Sequence, residues 1–150
     1  MEATDAFSYS QAIDVNKGDL MLINGYPCKI VDRTTSKTGK HGGCKINFNA
    51  QDIFTNKKYC MLHKSDDKVK VPNIIRGQYK IVDIEENNND SVKYLFHLIS
   101  NKGILRENVK ILDNDNIEEI YDKFINDDKD IDITVMEYLD NIMIIQHKIL

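Results

Sequence analysis

The sequence predicts an all-β protein made of two small barrels, the second with one short helix. Three observations lead there. Apolar and polar residues alternate in short runs, and turn-forming clusters such as Asn24-Gly25, Thr55-Asn56 and Asn101-Lys102-Gly103 punctuate those runs. Only Ile117, Ile120, Tyr121 and Phe124 recur at helical spacing. Pro72-Asn73 interrupts the series near its middle, because proline cannot donate to a strand ladder and restricts the residue before it.

In chain order, residues 1–14 are polar and aperiodic and read as a flexible N-terminal tail. Leu20 to Ile23 is an apolar strand. Asn24-Gly25 is a hairpin turn, since both central positions of a type I′ turn need positive φ, and Tyr26 to Arg33 is the returning strand. Cys44 to Asn49 and Lys57 to Leu62 supply further strands. Strands this short close most economically as a barrel, which removes exposed edges, so residues 15–72 are assigned to the first barrel.

Residues 73–150 carry strands at Gln78 to Glu85, Val92 to Ser100 and Ile104 to Ile111, with a polar turn at Glu86 to Asp90. The helix follows, with Asn116 as its N-cap and Glu118 and Glu119 favouring the partial positive charge of its first turn. Ile131 to Tyr138 and Ile142 to Leu150 close the chain. Five strands with a helix after the third is the order of an OB-fold barrel. Such barrels often bind single-stranded nucleic acid on aromatic platforms. Here Tyr79, Tyr94, Phe96, Tyr121, Phe124 and Tyr138 sit in alternating or helical patterns that favour the core instead.

Charge divides unevenly between the halves. Residues 1–71 hold 11 Lys/Arg against 8 Asp/Glu, whereas residues 72–150 hold 9 against 16, which opposes phosphate binding by the second barrel. Cys28, Cys44 and Cys60 are odd in number and widely spaced, and His41, His63, His97 and His147 are scattered, so no disulfide framework and no bound metal are expected. No stretch reaches the roughly twenty apolar residues that span a bilayer, and the N-terminal residues resemble no targeting signal. A cytoplasmic protein with no membrane partner is the expectation.

The segment richest in chemistry is Ser36-Lys37-Thr38-Gly39-Lys40-His41-Gly42-Gly43. Its glycines permit a sharp reversal between strands, and Lys40 at the centre has no neighbours able to pack it away. Lys29, Arg33, Lys37, Lys40 and Lys45 against only Asp32 make the surrounding field positive. A phosphate-cradling Walker loop is excluded, because Thr34 and His41 stand where that pattern needs glycine and Ser/Thr. A nucleophilic lysine would need desolvation that an exposed tip does not supply, so no enzyme is expected. By composition alone, the segment is also readable as a merely solvated basic hairpin.

A longer match separates these readings. Lys17-Gly18, Gly25-Tyr26-Pro27-Cys28-Lys29-Ile30-Val31, Thr35 to Gly42, Lys45, Asp52-Ile53-Phe54-Thr55, Lys57-Lys58-Tyr59 and Val71-Pro72-Asn73-Ile74 together resemble the eukaryotic translation initiation factor 5A family. Gly43-Cys44 stands where that family usually has His-Ala, and Cys60-Met61 where it is usually acidic. The resemblance implies that the first barrel is SH3-like. It implies that Lys40 is converted to hypusine by deoxyhypusine synthase and deoxyhypusine hydroxylase, with spermidine as the source of the aminobutyl group and no other cofactor. It further implies a ribosome-binding translation factor that approaches the acceptor end of peptidyl-tRNA, promotes peptide-bond formation at stalling sequences such as consecutive prolines, and assists termination. Lys37, Thr38, Gly39, His41 and Gly42 would support the contact with tRNA and ribosome. The alternative is a general RNA-binding module of two barrels whose basic loop stays unmodified. Monomer and homodimer are both open.

Overall fold

A computed structural model describes residues 6–37, 43–88 and 92–150. Among the described residues the chain is all-β apart from one α-helix and one 3-10 turn, and it divides into two compact units, Met1–Asn73 and Ile74–Leu150.

In the first unit, β1 (Phe7–Gln11) pairs antiparallel with β6 (Lys68–Pro72). β2 (Leu20–Ile23), β3 (Tyr26–Lys37), β4 (Cys44–Asp52) and β5 (Lys58–Lys64) form a four-stranded antiparallel sheet in that order. Alternation sends Met21, Ile23, Cys28, Ile30, Ile46, Phe48 and Ala50 inward to one core, which Val69 of β6 joins. The β2–β3 turn has Asn24 at φ 53° and Gly25 at φ 83°, the doubly left-handed geometry predicted for Asn-Gly.

Residues 6–14 correct the expectation of a flexible tail. Phe7–Gln11 is β1 and Ala12–Asp14 is a 3-10 turn, with Ala12 fully buried. The Ala12 N–H donates to the Asp67 carbonyl at 2.9 Å and the Ile13 N–H to the Ser65 carbonyl at 3.0 Å. These partners lie more than fifty residues away, so local periodicity carried no sign of them. β6 escaped the sequence reading for the same reason. Pro72 is tolerated because it is the last residue of its strand, opposite Phe7.

In the second unit, β7 (Ile75–Glu86), β8 (Tyr94–Ser100), β9 (Leu105–Lys110), β10 (Ile131–Tyr138) and β11 (Asn141–Ile149) form a sheet in the order β11-β10-β7-β8-β9. The chain beyond β9 closes it, for the Leu112 N–H donates to the Ile142 carbonyl at 2.9 Å and the Asn114 side-chain amide to that of Ile144 at 3.0 Å. This is the OB arrangement, with α1 (Ile117–Ile125) after the third strand. Tyr94 and Phe96 are buried in the core against which Tyr79, Tyr121 and Phe124 pack, and Tyr138 is buried as well. The aromatics that might have formed a nucleic-acid platform are therefore core residues.

Asn116 does not cap α1 through its side chain, as the sequence suggested. The Asn114 carboxamide accepts the Asn116 N–H at 3.0 Å instead, an Asx turn one step upstream. Glu118 accepts the Tyr94 hydroxyl at 2.9 Å, Tyr94 stacks on Tyr121 with centroids 4.4 Å apart, and the Tyr121 hydroxyl donates to Glu86 at 3.1 Å. Arg106 grips Glu137 with both guanidinium nitrogens at 3.0 Å and also donates to the Tyr79 hydroxyl at 3.2 Å. That bidentate contact joins β9 to β10, which are not neighbours in the sheet.

Candidate functional site

Of the predicted site residues, Lys37 is the last residue of β3, exposed and directly opposite Cys44. Thr38, Gly39, Lys40, His41 and Gly42 lie outside the described residues. The site is therefore read from the strand ends that bracket the segment.

β3 and β4 pair with a bulge at Val31, between the Ile30–Ala50 and Asp32–Asn49 partners. An extra residue there increases local twist and breaks the inward alternation of β3. Beyond Arg33 every described residue of β3 is exposed, whereas Ile46 and Phe48 of β4 remain fully buried. β5 follows β4 as far as Lys45–Lys64, and the Ser65 N–H donates to the Cys44 carbonyl at 2.9 Å. The strand that follows the segment, β4, is thus a core strand with a paired neighbour on each side.

Its charge also differs from the sequence expectation. The Arg33 guanidinium donates to the Ile13 and Val15 carbonyls and to Asn16, and lies 5.9 Å from the centroid of Phe48. It clamps the 3-10 turn to the sheet and is engaged by the fold. Lys29, opposite Gln51, stands eight positions before Lys37, about 26 Å along an extended strand. The cations at the root are Lys37, Lys45 and Lys64, with Lys45 opposite both Ser36 and Lys64. Like charges facing across a ladder oppose stability, so this placement favours an anionic partner. Lys64 was missed because its strand was expected to end at Leu62. The pairing with β4 carries it further.

Behind the root, Asp67 Oδ2 accepts the Lys64 N–H at 2.9 Å and contacts His63 Nδ1 at 3.1 Å. The backbone hydrogen bond first, and then His63, holds the Asp67 carboxyl below its usual 3.8. A depressed carboxylate stabilises the fold above its unfolded pKa and loses that contribution as pH falls through the lower folded value. Acidification should therefore loosen the β5–β6 turn only below about pH 4. A carboxyl-detected NMR titration should give Asp67 a midpoint under 3.8, and a normal or raised midpoint would contradict the contact.

Asp52 ends β4 and is 2 % exposed. It accepts the Phe54 N–H at 2.8 Å and the Thr55 N–H at 3.3 Å, while Asn56 takes φ 64° in the same turn. That Asx turn sets the register of β4 against β5. Burial first, and the nearby Asp52 second, push the Cys28 thiol up to about 11. Cys60 is exposed, donating to Asn49 Oδ1 at 2.9 Å. In the native protein, alkylation read by peptide mass spectrometry should label Cys60 first and Cys28 last, because the thiolate is the reactive species. Equal labelling before denaturation would contradict this placement.

Gly43 stands immediately before β4. A Cβ there would stand 3.5 Å from Ser65 Oγ, an ordinary contact, so backbone space does not demand glycine at this position. Among the described residues no His/Cys/Asp/Glu group could hold a metal ion, and no helix is long and apolar enough to cross a membrane.

Comparison with known proteins bears on the same segment. Residues 6–67 match the family model described as translation initiation factor 5A-like, N-terminal. Residues 73–148 match that described as eukaryotic elongation factor 5A hypusine, DNA-binding OB fold. Eukaryotic translation initiation factor 5A of Dictyostelium discoideum is 37 % identical, over 79 % of this chain and 78 % of its own. Eukaryotic translation initiation factor 5A-1 of Arabidopsis thaliana is 34 % identical, over 84 % of this chain and 76 % of its own. A solved translation initiation factor 5A family protein of Naegleria fowleri superposes with a TM-score of 0.81 at 28 % identity, covering 95 % of this chain and 99 % of that one.

Proposed function

The chain belongs to the translation initiation factor 5A family, and from that premise we propose that it is a ribosome-binding factor whose working tip is Lys40 in its hypusine form. The observation that carries this reading is the run Thr35 to Gly42, which lies inside the matched residues 6–67 and whose central Lys40 falls in sequence between the paired strand ends Lys37 and Cys44.

Deoxyhypusine synthase would transfer the aminobutyl group of spermidine to the Lys40 amine, releasing 1,3-diaminopropane, and deoxyhypusine hydroxylase would then hydroxylate that group with dioxygen as the oxidant. The product carries cationic donors beyond the reach of lysine. On the ribosome such a side chain braces phosphates and sugars at the acceptor end of peptidyl-tRNA and limits its wandering. That lowers the orientation cost of peptide-bond formation where the nascent chain positions itself poorly, as at consecutive prolines, and it serves termination by the same restraint. Lys37, Thr38, Gly39, His41 and Gly42 present the tip, with Lys45 and Lys64 adding positive potential at its root.

The test is peptide mass spectrometry of protein from its native cell. A hydroxylated aminobutyl group on Lys40 is expected. Fully unmodified Lys40 in that material would overturn the proposal in favour of a basic loop that contacts RNA directly.

A further inference from the structure

The β1–β6 ribbon is outside the segment just described. Alternation gives it two unlike faces. One turns Val69 into the core of the first unit, and the other presents Phe7 and Tyr9 of β1 beside Lys68 and Lys70 of β6. Tyr9 is 56 % exposed, an unusual position for a large ring with no core role. Phe7 meets it edge to face with centroids 5.5 Å apart. Lys68 Nζ lies 4.1 Å from the centroid of Tyr9, and Lys70 Nζ 4.7 Å from that of Phe7. Among the described residues neither lysine makes an ion pair, whereas Lys93 and Lys123 of the second unit pair with Glu118 and Asp127. The carboxylate of Asp67, next in sequence to Lys68, is turned to His63 and the Lys64 N–H.

We propose that this face is a second RNA-contact site, which takes a single strand by stacking a base on Tyr9 with Phe7 behind it and pairing flanking phosphates with Lys68 and Lys70. An exposed aromatic interleaved with unpaired cations on one sheet face is what sequence-tolerant single-strand binding requires, since every base has a π-face and every nucleotide a phosphate. A cation over an exposed ring is held weakly enough to exchange the ring for a phosphate. An acidic protein surface would use the lysines and leave Tyr9 idle, so Tyr9 separates the two kinds of partner. The site stands independently of Lys40.

The experiment measures binding of a labelled oligouridine, about twelve nucleotides long, to the full-length protein carrying unmodified Lys40 across a salt series. Tyr9→Ala should weaken binding about five- to a hundred-fold, with Tyr9→Phe close to wild type. Lys68→Ala combined with Lys70→Ala should reduce the slope of log affinity against log salt by about 1.4, two phosphates at about 0.7 each. Lys40→Ala should leave the Tyr9 effect intact. Tyr9→Thr, which keeps β propensity, repeats the test if the alanine variant unfolds. Wild-type affinity in folded Tyr9→Ala or Tyr9→Thr protein, or an unchanged slope in the lysine double variant, overturns the proposal.

Discussion

Lys40→Arg is expected to fold as the wild type does and to lose relief of stalling at consecutive prolines. The substitution keeps the charge of the loop. The glycine-flanked position of Lys40 in the sequence predicts an exposed side chain, and a substitution of that kind changes stability by only about half a kcal/mol, so the melting temperature should hardly move. On the proposed mechanism function should change far more, because guanidinium does not offer the primary amine to which the aminobutyl group would be joined, and the arginine side chain is shorter than the extended one. A reconstituted translation assay on a message encoding a proline run compares modified wild type with the variant. Equal rescue by both would leave a generic basic loop as the better account of this chain. Charge and reach are separated by this substitution in a way that Lys40→Ala cannot achieve.

Phe48→Ala carries the largest expected cost to stability, about 3 to 5 kcal/mol. Phe48 is fully buried at the centre of β4, with Arg33 on its ring and His63 edge-on at 6.2 Å. Removing the ring leaves a cavity between β3 and β5 and takes away the surface on which the Arg33 clamp rests. A unit of this size has little stability to spare, so most of its cooperative folding should be lost. Urea denaturation combined with hydrogen exchange at β3 and β4 amides reads this directly. A loss under 1 kcal/mol would mean that the sheet is held chiefly by its backbone ladder and not by this core. Rescue of stalling should fall with stability, since β4 is one of the two strands that root the loop.

Much of the fold was legible because it rests on local chemistry. Asn24-Gly25 makes its turn by backbone conformation alone, and Leu20–Ile23 and Ile131–Tyr138 are strands at the residues where alternation placed them. The helix lies where four apolar residues share one face, but its start is organised by Asn114 rather than Asn116. Both asparagines are chemically able to supply that oxygen, and the anchoring of Asn114 to Ile144 on β11 selects between them. Residues 6–14 read as a tail because strand β1 has no periodic partner nearby. Its stability comes from β6 and from carbonyls at Ser65 and Asp67.

The sequence by itself determined the strands other than β1 and β6, the OB arrangement of the second half, and the run around Lys40 that resembles the factor 5A family, since each depends on residue types at short spacing. Tertiary structure alone decided which cations face outward. Arg33 and Lys37 are both basic residues of β3, yet the bulge at Val31 and the turn at Ala12–Asp14 engage the first with Val15 and leave the second exposed opposite Cys44. It also decided that Tyr9 and Lys68, nearly sixty residues apart, share one face of a ribbon. The physical reason is common to both. A side chain's chemistry is local, but its availability depends on long-range pairing, because backbone groups must find partners wherever the chain brings them together.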